Sequence, residues 1–199
     1  AFSRLLELIM AQSGGVFEAT AFARPCEVSR TTIANYVAVL DATFVVHLVR
    51  PYVGGSAAEI VAAPRAYAFD TGFVCFFRGW HELRHDDLGH LWEHLVLNEL
   101  HAHVGRAPVH YWRTKHGAEV DFIVARRGDP PVAIECKWSA DEFDAAGMVA
   151  FRAKYPQGPN YVVSSDVTRS YTRTHRGLRV SFVPLARLGT VLSGVHQAG

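Results

Sequence analysis

Cysteine and methionine are scarce in this chain of 199 residues, with three of the first and two of the second. Cys26, Cys75 and Cys136 are odd in number, widely scattered and without CxxC spacing, which argues against a disulfide framework or a cysteine zinc site and predicts reduced thiols. No window approaches the roughly 18 uninterrupted apolar residues of a membrane span, and the N-terminus lacks the basic start and small-residue cleavage site of a secretory signal. These absences predict a cytoplasmic chain. No GxxxxGKS/T phosphate cradle and no Ser-His-Asp or Cys-His arrangement stands out, so neither P-loop nucleotide chemistry nor nucleophilic catalysis of those types is expected from these residues. The chain opens on AFSRLL, without Met and already inside a helical pattern, as a piece of a longer protein would.

Apolar residues make up 49% of the chain, enough to fill a sizeable core. The net charge of +1 conceals an asymmetry. Residues 1–88 hold 7 Lys+Arg against 9 Asp+Glu, and residues 89–199 hold 13 against 10. Affinity for nucleic acid is therefore expected in the second part, where Arg169, Arg173, Arg176, Arg179 and Arg187 face only Asp166, and where Arg113 and Lys115 lie beside an acidic strand pair. An ordinary solvated surface is the competing reading of such basic stretches.

Residues 3–12 space their apolar side chains as a helix, ended by Gly14-Gly15. A short helix, a turn, a helix starting after the N-cap candidate Ser29 and an apolar strand over 44–49 follow, in the order of a winged helix-turn-helix. Only Arg30 is charged among the residues that the second helix would offer a groove, so packing or protein contact is favoured there over duplex binding. Residues 52–64 read as a loop or wing; RAYAFDTGFVCFF reads as a strand, an N-cap at Asp70 and a helix start; a polar linker follows, with the domain boundary near residue 85. This divides the chain into domains 1–85 and 86–199.

The segment GHLWEHLVLNELHAHVG then predicts a helix with Leu91, Leu95, Val96, Leu100 and Val104 on its apolar side. Strands are expected over 109–114, 119–126, 132–138, 160–164 and 178–183, with helices over 141–155 and 185–193. The fold class is α/β (α+β), with a core of order αβββαβ and a mixed sheet. Within EVDFIVARRGDPPVAIECKW, charges sit inside apolar strands. Residues two apart on a strand share a face, so Glu135 and Lys137 point together, and the RRGDPP turn brings Asp121 beside them. Buried carboxylates repel each other and lose hydration, at several kcal/mol unless a cation compensates, and hard Mg²⁺ takes a couple of carboxylate oxygens plus waters. Glu93, on the upstream helix, is the candidate third carboxylate, and Glu99 a weaker one. A plain Glu–Lys ion pair is the alternative.

These residues, a Glu on the first helix, an Asp on the second strand and ExK on the third, resemble the signature of the PD-(D/E)xK, or restriction-endonuclease-like, superfamily. The stretches GHLWEHLVLNEL, YWRTKHGAEVDFIV and AIECKW, preceded by a winged-helix pattern and RAYAFDTGF, resemble more closely the C-terminal region of prokaryotic AAA-type ATPases catalogued as domain of unknown function 4143. The resemblance implies that Glu93, Asp121 and Glu135 hold Mg²⁺ or Mn²⁺ and that Lys137 is the catalytic lysine. Val120 stands where the superfamily has Pro. It further implies nucleic acid, foremost DNA, as partner, and ATP and homo-oligomerisation only through an ATPase module outside this sequence. The expected function is a metal-dependent nucleic-acid phosphodiesterase, with an inactive nuclease-fold binding or interaction module as the alternative. His90 and His94, one helical turn apart, have a zinc-compatible spacing, but His81, His85, His101 and His103 continue the enrichment without ligand geometry and predict surface positions. Of Tyr111 and Trp112, alternation along a strand sends one to the core, and Trp112 is the expected one.

Overall fold

The computed structural model describes residues 1–54, 63–105 and 108–194. Among them the chain forms two compact units, residues 1–50 with 63–90 and residues 51–54 with 91–194. No helix of the described residues is long and apolar enough to cross a membrane.

The first unit contains α1 (Phe2–Ala11), α2 (Ala19–Ala23), α3 (Arg30–Ala42), the antiparallel strands β1 (Val46–Pro51) and β2 (Arg65–Ala68), and α4 (Thr71–Arg78). The helix starts follow the capping chemistry expected from the sequence. Ser29 Oγ accepts the Thr32 N–H at 3.1 Å, and Asp70 Oδ1 accepts that of Gly72 at 2.6 Å. The expected strand start at Phe44 moves to Val46, because Phe44 adopts a left-handed backbone (φ 59°) as the helix turns into the strand. Most of the expected wing, residues 55–62, lies outside the described residues.

The second unit takes in most of α5 (His85–His103), then β3 (Val109–Arg113), β4 (Glu119–Val124), β5 (Val132–Lys137), α6 (Ala146–Lys154), β6 (Asn160–Ser164), β7 (Tyr171–His175), β8 (Leu178–Val183) and α7 (Leu188–Gly194). Its strands stand in the order β3-β4-β5-β6-β8-β7. The β5–β6 and β6–β8 pairs are parallel and the others antiparallel, a mixed sheet. Trp112, Ile123, Ala133, Met148, Phe151 and Phe182 belong to one buried cluster between α6 and the strands.

Further expectations need correction. Leu95 is 44% exposed, and the buried side of α5 is instead Val96, Leu97 and Leu100 with His94, since the register that buries 96 and 100 turns 95 outward. His94 is thus an interior residue rather than a surface one. The helix expected from residue 141 breaks into a short 3₁₀ turn, Ala140–Glu142, before α6 begins, where Asp144 Oδ1 accepts the Ala146 N–H at 3.1 Å. Strand β7 went unforeseen: YTRTH carries polar side chains on an edge strand and lacks the apolar alternation by which strands are read.

Two close approaches fix the scaffold behind the site. At Gly147 a Cβ would run into the Glu119 carbonyl oxygen, so the start of α6 rests directly on the start of β4. Arg152, buried and with no carboxylate partner among the described residues, donates to Asn160 Oδ1 (2.7 Å), to the carbonyls of Pro131 (3.0 Å), Pro159 (2.7 Å) and Tyr155 (3.2 Å), and to that of Gln157. Burial draws its pKa down to about 10. It staples the β4–β5 turn to the strand that follows α6.

Candidate metal and nucleic-acid site

Strand β4 departs from regular pairing at the residue that matters. His110 pairs with Ile123 and Trp112 with Val120, so Asp121 and Phe122 together oppose the single residue Tyr111. A bulge of this kind re-aims the side chain it carries. On the other edge of β4 the ladder runs from Val124↔Val132 to Phe122↔Ile134, and beside it Asp121 Oδ2 accepts the Cys136 N–H at 2.8 Å. The carboxylate thus takes a donor that a ladder carbonyl would otherwise take. Tyr111 and Trp112 are both buried, which corrects the expectation that only one would be.

Asp121 is 9% exposed and Glu135 is 5% exposed. Lys137, with its side chain 26% exposed, donates to Glu135 Oε2 at 3.1 Å and lies 3.9 Å from Asp121 Oδ2. Burial raises the Glu135 pKa well above the ordinary glutamate range; the Asp121 charge pushes the same way, against the Lys137 ammonium. Burial by itself would lower the lysine pKa, but the charges of Asp121 and Glu135 prevail and raise it. The Cys136 thiol, buried on the strand position between Glu135 and Lys137, is also pushed up, first by burial and then by Asp121 and Glu93.

Sequence reasoning named Asp121, Glu135 and Lys137, and the fold brings them together. Glu93 lies on α5 close enough for its charge to act on the Cys136 thiol, while the charges that bear on Glu135 are those of Asp121 and Lys137. Among the described residues no three His, Cys, Asp or Glu side chains are grouped to hold a metal ion. The donor set on hand is the Asp121–Glu135 pair. Two hard carboxylates side by side and largely withdrawn from water, with an ammonium beside them, suit an oxygen-seeking divalent ion that keeps waters of its own. His90 is half-buried, with its pKa lowered to about 4 by burial and by Arg78.

The basic residues divide by position. Lys115 lies in the β3–β4 turn, which leads straight into Glu119 and Asp121, and Arg113 flanks it, 3.6 Å from Glu119. β6 runs parallel to β5 with Ser164 opposite Lys137, so Arg169 follows on the segment that leaves the lysine end of the sheet. β7 then runs back: Arg173 packs over the Tyr171 ring at 5.0 Å, and Arg176, in the far turn, pairs with Asp144 at 3.3 Å.

A second polar cluster escaped the sequence reading. Asp166 accepts from Ser164 Oγ (2.6 Å), Ser139 Oγ (2.7 Å) and the Ala140 N–H (3.0 Å), and Ser165 Oγ donates to the Trp138 carbonyl at 2.5 Å. The only signal in the sequence was SSD directly after the apolar YVV. Trp92 donates to the Val163 carbonyl at 3.0 Å and meets the Trp138 ring edge-on at 5.9 Å.

Fold and site together define a mixed α/β chain with two buried acids and a lysine gathered at a bulged strand. The family model of the domain of unknown function DUF4143 matches residues 88–188, just over half of the sequence, and the chain belongs to that family. Residues 1–84 match the model of a further domain of unknown function, DUF8612. The uncharacterized proteins Mb2031c of Mycobacterium bovis and Rv2008c of Mycobacterium tuberculosis are each 31% identical over 121 residues, covering 59% of this chain and 27% of theirs. The chain thus spans about a quarter of the length of these relatives. Among solved structures, a chain of the tetradecameric assembly of Thermococcus gammatolerans McrB AAA+ hexamers with bound McrC aligns with 92% of this chain and 70% of its own at 8% identity and a TM-score of 0.35.

Proposed function

We propose that this chain is a metal-dependent nucleic-acid phosphodiesterase module of the restriction-endonuclease-like type, preceded by a winged helix and working with an AAA-type ATPase. The observation that carries the reading is the convergence of Asp121, Glu135 and Lys137 at the β4 bulge. Asp121 and Glu135 would hold Mg²⁺ or Mn²⁺, which supplies Lewis acidity and an acidified water. Lys137 is kept as an ammonium by its two carboxylate neighbours. Its part is to stabilise negative charge on a phosphate at the site rather than to accept a proton. Lys115, Arg113 and Arg169 would lead the backbone of a DNA substrate to that end of the sheet, and Arg173 and Arg176 would extend the track.

The test is nicking of supercoiled DNA by the purified chain with Mn²⁺. Asp121→Ala and Lys137→Ala are expected to abolish it while far-ultraviolet circular dichroism stays that of the parent. Variants that cleave as fast as the parent would sink the reading. One observation favours a second function, an inactive nuclease-fold module that binds nucleic acid or a partner: the absence of a three-ligand group among the described residues. It predicts DNA binding that Mn²⁺ does not alter, with no cleavage.

A further inference from the structure

We propose that Asp166 is a positioning residue for the Glu135–Lys137 strand end. The inference rests on the phosphodiesterase reading for its kinetic consequence, but its geometry stands apart from it. β5 is held by β4 only from Val132 to Ile134. Beyond that, the Cys136 N–H goes to Asp121, and the backbone of Glu135–Lys137 is supported by the parallel ladder to β6, which ends at Lys137↔Ser164. The lysine therefore stands on the last rung, where a strand would fray.

Asp166 continues the connection past that rung with side-chain bonds. Its Oδ1 takes Ser164 Oγ at 2.6 Å and the Ala140 N–H at 3.0 Å; its Oδ2 takes Ser139 Oγ at 2.7 Å and the same N–H at 3.2 Å. Ser165 Oγ adds a bond to the Trp138 carbonyl. Residues 138–140 are thereby tied to residues 164–166, and the three donors on one carboxylate hold it ionised below the usual aspartate range. An exposed acid in a single ion pair contributes little to a fold, but one that gathers two hydroxyls and an amide from two chain segments fixes their separation. What it fixes is the residue next to Lys137.

The experiment uses the full chain and the variants Asp166→Ala, Asp166→Asn and Ser139→Ala. For Asp166→Ala, kcat for Mn²⁺-dependent DNA cleavage is expected to fall about 10- to 100-fold, the scale of a misplacement near 1 Å. KM should stay within about twofold, since Asp166 itself is spent on Ser139, Ser164 and the Ala140 N–H rather than on substrate. Asp166→Asn should recover part of the loss, because its carbonyl oxygen still accepts, and Ser139→Ala should show a smaller loss in the same direction even where Asp166→Ala folds poorly. Amide hydrogen exchange provides the readout that needs no activity: faster exchange confined to residues 137–140 is expected. An unchanged kcat, or a rise in KM alone, would overturn the proposal in a chain that cleaves. In a parent that does not cleave, the phosphodiesterase reading fails; local loss of protection then still supports the clamp, and unchanged exchange overturns it.

Discussion

Replacing Glu135 by glutamine is expected to stabilise the chain at pH 8 in the absence of divalent ions. Glu135 is 5% exposed, next to Asp121, and the opposing charge beside it is Lys137 at 3.1 Å. Its pKa in the folded chain lies above the ordinary glutamate value of 4.5. A raised acid binds its proton more tightly in the native state than in the unfolded one. Its contribution to stability is therefore complete below about pH 4.3 and is lost as pH rises through the folded pKa. Glutamine removes the charge and keeps the shape, and Lys137 retains Asp121 at 3.9 Å. The loss of one charged hydrogen bond, about 1.5–3 kcal/mol, is offset by no longer ionising a buried carboxyl group, which costs several kcal/mol. A net gain of about 1–2 kcal/mol is of the size seen for relieved functional strain, and it corresponds to a rise in Tm of roughly 2–8 °C for a chain of this length. Differential scanning fluorimetry from pH 4.5 to 8.5 should show the difference between variant and parent growing with pH. Mn²⁺ at a hundred times its Kd should then stabilise the parent by about 2.7 kcal/mol and leave the variant nearly unmoved. A variant less stable than the parent at pH 8, or a difference flat across the range, would refute the assignment of Glu135 as a strained, cation-seeking group.

Asp121→Asn retains an oxygen for the Cys136 N–H and should hold stability within about 1 kcal/mol of the parent in urea titrations, while the thermal response to Mn²⁺ disappears. Arg152→Met leaves the carbonyls of Pro131, Pro159, Tyr155 and Gln157 and the Asn160 side chain without their common donor; a loss of about 3–5 kcal/mol is expected by chemical denaturation. In DNA-binding assays against salt, Arg169→Ala and Lys115→Ala should each reduce the slope of log K against log salt by about one. Arg176→Ala, already paired with Asp144, should change it less.

Much of this architecture was legible because its signals are local. Ser29 and Asp70 announce their helices by short-range hydrogen bonds, and the runs at 160–164 and 178–183 are apolar enough to be read as strands with their observed limits. The candidate site was legible for the opposite reason: charges at 121, 135 and 137 contradict the apolar strands that hold them, and such conflicts are where a site is sought. What escaped depends on long-range partners. Regular alternation brings Asp121 beside Glu135 only approximately; the bulge opposite Tyr111, set by pairing with β3, gives the carboxylate its aim. The role of Asp166 arises from residues 26 and 27 positions away, and β7 is a strand because β8 offers it an edge. Leu95 was misassigned because a helix rich in leucine fits more than one apolar face, and only packing selects between them.

The odd residue in β4 also limits how the β3–β4 hairpin can vary in length. Deleting either Asp121 or Phe122 would equalise the two sides opposite Tyr111 and restore unbroken pairing, so the hairpin itself would gain regularity. A shortened chain should therefore still fold and yet lose its response to divalent ions. In this family, comparison of hairpin lengths between Trp112 and Ile123 would separate chains that retain the acid pair's geometry from chains that kept only the scaffold.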